Sequence, residues 1–97
     1  MRNAAGQEKV PVKVYVPVVV AFDEDGRMIP ESLTWEDGQR YEIERLLAVR
    51  PGYAARVGGH GDRYTVRIGT QQRYLYFEHN LQYGQPITGR WFVERKA

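Results

Sequence analysis

Apolar and polar residues alternate strictly from Val10 to Phe22: Val10, Val12, Val14, Val16, Val18, Val20 and Phe22 share one phase, Lys13 and Tyr15 the other. A period of two over this length predicts a long strand with one buried face. Pro11 and Pro17 cannot donate to a ladder, which predicts an edge strand or a bulge near Pro17. Asp23-Glu24-Asp25-Gly26 reads as a turn, followed by a short segment, Arg27–Ile29, before Pro30.

Leu33–Leu47, LTWEDGQRYEIERLL, is the clearest hairpin, because Asp-Gly between two runs of β-formers is a strong short-range turn signal. A two-residue Asp37-Gly38 loop would scatter apolar residues over both faces. A three-residue loop, Glu36-Asp37-Gly38 with Gly38 in a left-handed bulge, pairs Trp35 with Gln39 and Leu33 with Tyr41. Leu33, Trp35, Tyr41 and Ile43 then share one face, and Ser32, Thr34, Arg40 and Glu42 the other. A one-residue slip inverts every side chain, so only the second register gives a half-buried hairpin.

The second strand of this hairpin is expected from Gln39 to about Val49. Pro51–Asp62 (PGYAARVGGHGD) reads as one long irregular loop. A second hairpin joins RYTVRI to RYLYFEH through Gly69–Gln72. That four-residue loop pairs Ile68 with Arg73, Val66 with Leu75 and Tyr64 with Phe77. It also sets Arg67 opposite Tyr74, Thr65 opposite Tyr76 and Arg63 opposite Glu78. Asn80–Gly89 is a loop, and Arg90–Arg95 a final strand with Trp91 and Val93 inward and Phe92 outward. Residues 1–9 form a frayed polar tail and 10–97 a single β domain. The class is all-β, with little or no helix. Five to six short antiparallel strands need protected edges, which predicts a small antiparallel barrel or a strongly curled sheet.

Composition narrows the setting. The chain has no cysteine, which excludes disulfides and thiolate metal sites and predicts a reducing, cytoplasmic location. No apolar stretch is long enough to span a bilayer as a helix. The net charge of +2 conceals an asymmetry: residues 1–44 carry five basic against nine acidic side chains, and residues 45–97 nine against three. This split marks either an electropositive binding face or two halves that pair within the fold.

Candidate chemistry is sparse. Ser32 is the single serine, nothing marks it as activated, and His60 and His79 lack the spacing of a structural zinc site. The acidic run at Asp23 lacks the later glutamate of a calcium loop. Catalytic residues, metal ligands and cofactors are therefore not expected. The outer face of the second hairpin is more informative: Arg63, Arg67, Tyr74 and Tyr76, joined by Phe92, interleave cations with rings. Rings stack on exposed bases while arginines bind phosphate, which points to single-stranded nucleic acid. The same Arg–Tyr pairs are also ordinary sheet stabilisers. The alternative partner is another protein, held on the edge strand near Pro17 or on the aromatic patch.

VPVVVAFDEDG, IPESLTWEDGQRYEIERLL, GGHGDRYTVRIG, YLYFE and RWFVERK, in this order, cover most of residues 10–96. On these pieces the chain resembles a small family of uncharacterised β-domains from Gram-positive bacteria. The resemblance implies a compact β-domain and brings no activity, cofactor or catalytic residue with it.

Overall fold

The computed structural model describes residues 11–54, 60–79 and 88–96. The expected frayed tail, residues 1–9, lies outside them, as do residues 80–87 of the expected Asn80–Gly89 loop; Gly89, the last residue of that loop, instead opens a strand. Eight strands follow one another: β1 (Pro11–Tyr15), β2 (Val18–Phe22), β3 (Met28–Thr34), β4 (Arg40–Glu42), β5 (Arg45–Ala54), β6 (His60–Ile68), β7 (Gln71–His79) and β8 (Gly89–Lys96). They form two antiparallel sheets, a five-stranded one ordered β1-β8-β7-β6-β5 and a three-stranded one ordered β2-β3-β4. There is no helix among the described residues.

The count of eight replaces the expected five to six because two expected strands are each divided between the sheets. The Val10–Phe22 stretch turns at Val16-Pro17. Val16 N–H still donates to Trp91 of β8 at 3.1 Å, whereas Pro17 C=O already accepts Thr34 N–H of β3 at 3.0 Å. Val16 is in the hydrogen-bonded phase of the β1–β8 ladder, so residue 17 turns its backbone groups away from β8. A proline there costs that ladder no donor, and its C=O is free to open the contact with β3. The Gln39–Val49 stretch turns likewise at Ile43-Glu44, where Ile43 N–H donates to Glu31 in β3 and Glu44 N–H to Arg67 in β6, both at 2.9 Å.

The central hairpin has the expected register. Leu33 faces Tyr41 and Thr34 faces Arg40. Trp35 N–H donates to Gln39 C=O at 2.8 Å, and Gly38 takes φ +84°, a region that strains any residue with a Cβ. The β2–β3 turn repeats this geometry on the same Glu-Asp-Gly triplet, Glu24-Asp25-Gly26, with Asp23 N–H donating to Arg27 C=O at 3.0 Å. Within it the Asp23 carboxylate accepts the backbone N–H groups of Asp25 and Arg27. Those bonds, that from Arg27 first, hold the Asp23 carboxyl below its ordinary range. The acidic run is thus turn chemistry.

The second hairpin differs from expectation. Its loop is the two residues Gly69-Thr70, so Ile68 faces Gln71, Val66 faces Arg73, Tyr64 faces Leu75 and Arg63 faces Tyr76. Gly69 at φ +61° makes the tight turn possible, as glycine at the first central position of a two-residue hairpin loop does. The shift of two residues leaves every side chain on its expected face. The irregular Pro51–Asp62 segment is also shorter than expected. β5 continues through a bulge at Pro51-Gly52, Asp62 is already in β6, and Gly52 N–H donates to Asp62 Oδ1 at 3.0 Å. Proline is tolerated there because β5 is a sheet edge. Residues 55–59 of that segment lie outside the described residues.

One core joins the two sheets. Val16 and Leu33 pack with Tyr64, Val66, Leu75, Phe77 and Trp91. Trp91 holds Tyr64 and Phe77 each at 4.9 Å between ring centroids. Ser32, expected on a solvated face, is 1% exposed. It is a small side chain on a central strand, with Val19 and Glu42 directly opposite on its two neighbours. Three ion pairs, Lys13–Glu78, Arg67–Glu44 and Arg95–Glu36, tie side chains distant in sequence, and the last two join the basic half to the acidic half.

Candidate functional site

On the outer face of the five-stranded sheet, one row of directly opposed residues runs across every strand: Tyr15, Phe92, Tyr76, Arg63 and Arg50. Alternation places this row away from the core, yet Tyr76 is 3% and Phe92 1% exposed. Their rings stack on each other at 5.0 Å with 14° between planes, Tyr15 meets Phe92 edge-on at 6.0 Å, and Lys13 Nζ sits 4.7 Å from the Phe92 centroid. The Tyr76 hydroxyl donates to Glu94 at 3.2 Å. Phe92 therefore points outward as expected but is not solvated; this face carries a second packed layer.

Of the remaining expected contact residues, Tyr74 is 45% exposed and lies under the Arg63 guanidinium, 4.4 Å from its ring centroid. Arg67 is exposed and reaches Glu44 at 3.9 Å. The structure brings Arg63, Tyr74 and Tyr76 together and gives Phe92 to Tyr76 and Lys13. The expected Arg63–Glu78 opposition is replaced because the shorter turn moves Arg63 opposite Tyr76. Glu78 faces Arg90 on β8 instead.

Glu78 is the hub of the layer's charges. It accepts Lys13 Nζ and the Tyr15 hydroxyl, both at 2.7 Å, and Arg90 lies at 3.9 Å with its guanidinium over the Tyr15 ring. The Lys13 hydrogen bond, then that of Tyr15 and the charges of Lys13 and Arg90, hold its carboxyl below the ordinary 4.5 against partial burial. The same hydrogen bond raises Lys13 above 10.5. The carboxylate's contribution to stability is complete above 4.5 and fades as pH falls through its lowered folded value; that of the ammonium is complete below 10.5 and fades above it. Glu78→Gln is accordingly expected to cost about 1 kcal/mol at neutral pH. In urea titrations at successive pH values, the gap from wild type should close on acidification below 4.5; a gap constant with pH would remove the charge from the account.

The second feature is an open cleft of about 1010 Å³ between the three-stranded sheet and β7–β8. Its apolar floor is formed by the residues that keep accessible surface, exposed Tyr41 and half-buried Trp35, Ile68 and Val93, over the buried side chains of Leu33, Val66 and Leu75. Three arginines, Arg40, Arg73 and Arg95, and three glutamates, Glu42, Glu44 and Glu94, stand around it. Most of these charges are matched within the chain: Arg40 Nε meets Glu42 at 2.8 Å, Arg95 meets Glu36 at 3.3 Å, and Glu44 accepts Gly69 N–H at 3.1 Å. Arg73 differs. It sits directly opposite Val66, on the core-facing side of β7, and bonds the side-chain oxygen of Gln71.

This cleft was not legible as a site, although one signal for it was. Arg73 falls in the phase of Leu75 and Phe77, where an arginine needs a reason. Pockets with an apolar floor and a few convergent polar groups are the usual form of a binding site. Elsewhere, His79 Nε2 lies 2.9 Å from Asp62 Oδ2, and the same carboxylate holds Gly52 N–H, an arrangement that clasps β5, β6 and β7. Among the described residues no helix is long and apolar enough to cross a membrane. No family model, curated protein or solved structure matches this chain.

Proposed function

We propose that this domain is a non-catalytic binding module of a reducing compartment, that its two sheets are the wall of one small barrel left open along β4, and that it holds a segment of another protein in the cleft at the barrel's mouth. The barrel reading is supported by the corners at Val16-Pro17 and Ile43-Glu44. There the backbone passes directly from one sheet's ladder to the other's, along both edges of the three-stranded sheet.

The observation that carries the ligand class is the combination of an apolar floor with a charge-balanced rim. A polyanion would bring phosphates against Glu42, Glu44 and Glu94. A polypeptide offers apolar side chains to the floor and polar groups to the rim at once. Single-stranded nucleic acid, recognised through Arg63, Arg67, Tyr74, Tyr76 and Phe92, is the less supported ligand. Base stacking needs open ring faces, and those of Tyr76 and Phe92 are covered.

A pair of measurements decides between them. Selection from a displayed library of random dodecapeptides should enrich binders, and an oligothymidylate should show no salt-sensitive binding. Oligothymidylate binding that falls steeply with salt and weakens on Arg67→Ala would replace this reading by the nucleic-acid one, since phosphate contacts release counterions.

A further inference from the structure

We infer that the cleft accepts its partner segment as an added fourth strand on the edge of β4, with an acidic side chain of that segment paired to Arg73. This inference rests on the protein-segment reading above and specifies the segment. Its first support is the edge itself. β4 ends the three-stranded sheet, and all three of its residues line the cleft. The backbone bonds Trp35–Gln39 and Ile43–Glu31 flank the Leu33–Tyr41 pair. Antiparallel alternation then makes Leu33–Tyr41 the hydrogen-bonded pair and turns the N–H and C=O groups of Arg40 and Glu42 away from β3. Those groups are the template that strand addition uses.

The second support is charge. Arg40 and Arg95 have glutamate partners within the chain. Arg73 has no carboxylate partner among the described residues, only the amide oxygen of Gln71. It stands opposite Val66, beside the apolar floor. A guanidinium there fits a carboxylate, which it can engage with two parallel hydrogen bonds. An extended segment places alternate side chains on one face. The matching motif is therefore an Asp or Glu two positions from an aliphatic or aromatic residue, the acid on Arg73 and the apolar group on the floor.

The test uses the full chain and the dodecapeptides enriched from the random library. They should carry an acid two positions from an apolar residue. A synthetic enriched peptide should lose about 10- to 100-fold in affinity when its acid becomes the amide, and by the same factor against Arg73→Gln. Arg73→Glu should bind the peptide whose acid is replaced by lysine. N-methylation at alternate peptide amides should abolish binding, and at the intervening amides should not. The acid-to-amide and N-methyl arms need no protein variant, so they stand whether or not the substituted proteins fold.

Enriched peptides without an acid, or indifferent to Arg73 and to N-methylation, would overturn this inference and leave the protein-segment reading standing. Absence of any enriched peptide would overturn that reading as well. A self-association of the chain that Arg73→Glu abolishes would assign the cleft to a second copy and likewise overturn the inference.

Discussion

Phe92→Ala is expected to remove about 3–5 kcal/mol of unfolding free energy, measured as a shift in urea midpoint at unchanged slope. Truncation deletes a ring that is 1% exposed, stacked on Tyr76 and capped by Lys13, on a face where neighbours on β1, β7 and β8 are fixed by the ladders. Little can collapse into the space. The loss combines transfer, cavity and ring–ring terms, the last worth about 0.5–1.5 kcal/mol. Against a total stability of about 5–15 kcal/mol for a domain, it is a large fraction. Tyr74→Ala, on the same face but exposed, should cost no more than about 1 kcal/mol. Equal costs for the two would mean that the outer layer is ordinary surface.

Leu75→Ala is expected to cost about 2–5 kcal/mol and to shift the unfolding of both sheets together. Leu75 is 0% exposed, opposite Tyr64, in the cluster that also contains Leu33 of the smaller sheet. The two tryptophans make this readable, because Trp91 lies in β8 and Trp35 flanks the central hairpin turn. Single-tryptophan proteins, with Trp35 or Trp91 replaced by phenylalanine, should show coincident midpoints before and after Leu75→Ala, as one cooperative core requires. Leu47→Ala, on an exposed side chain, should move neither by more than about 0.5 kcal/mol. A Leu75→Ala shift seen by Trp91 alone would mean that the sheets unfold independently.

The central hairpin was readable because two signals coincide on it: Asp37-Gly38 marks the turn, and Leu33, Trp35, Tyr41 and Ile43 choose the face. The second hairpin offered only the face. A slip of two residues preserves the side of every residue, so burial patterning cannot tell the Gly69-Thr70 turn from a longer one. The corner at Val16-Pro17 was hidden for a related reason. Val14, Val16, Val18 and Val20 all join or abut the core across it, so the alternation runs unbroken while the hydrogen-bond partner changes. A period of two implies one wet face, which an antiparallel sheet usually has, and so places Tyr76 and Phe92 in solvent. The aromatic content of that phase, with Tyr15 in the same row, was the available hint of a second layer. Arg73 keeps the phase of Leu75 and Phe77, opposite Val66, so alternation alone does not single it out.

The pairing of β1 with β8 sets the order of events in folding. Val14 meets Val93 and Pro11 meets Lys96, so the first described strand finds its partner in the larger sheet only in the last. The hairpins β2–β3, β3–β4 and β6–β7 can form locally within microseconds, but this ladder must close a loop spanning nearly the whole domain. Such contacts raise the contact order and place the domain among slow β-folders, in the millisecond-to-second range. During synthesis, the apolar β1 stays without its ladder until β8 has left the ribosome.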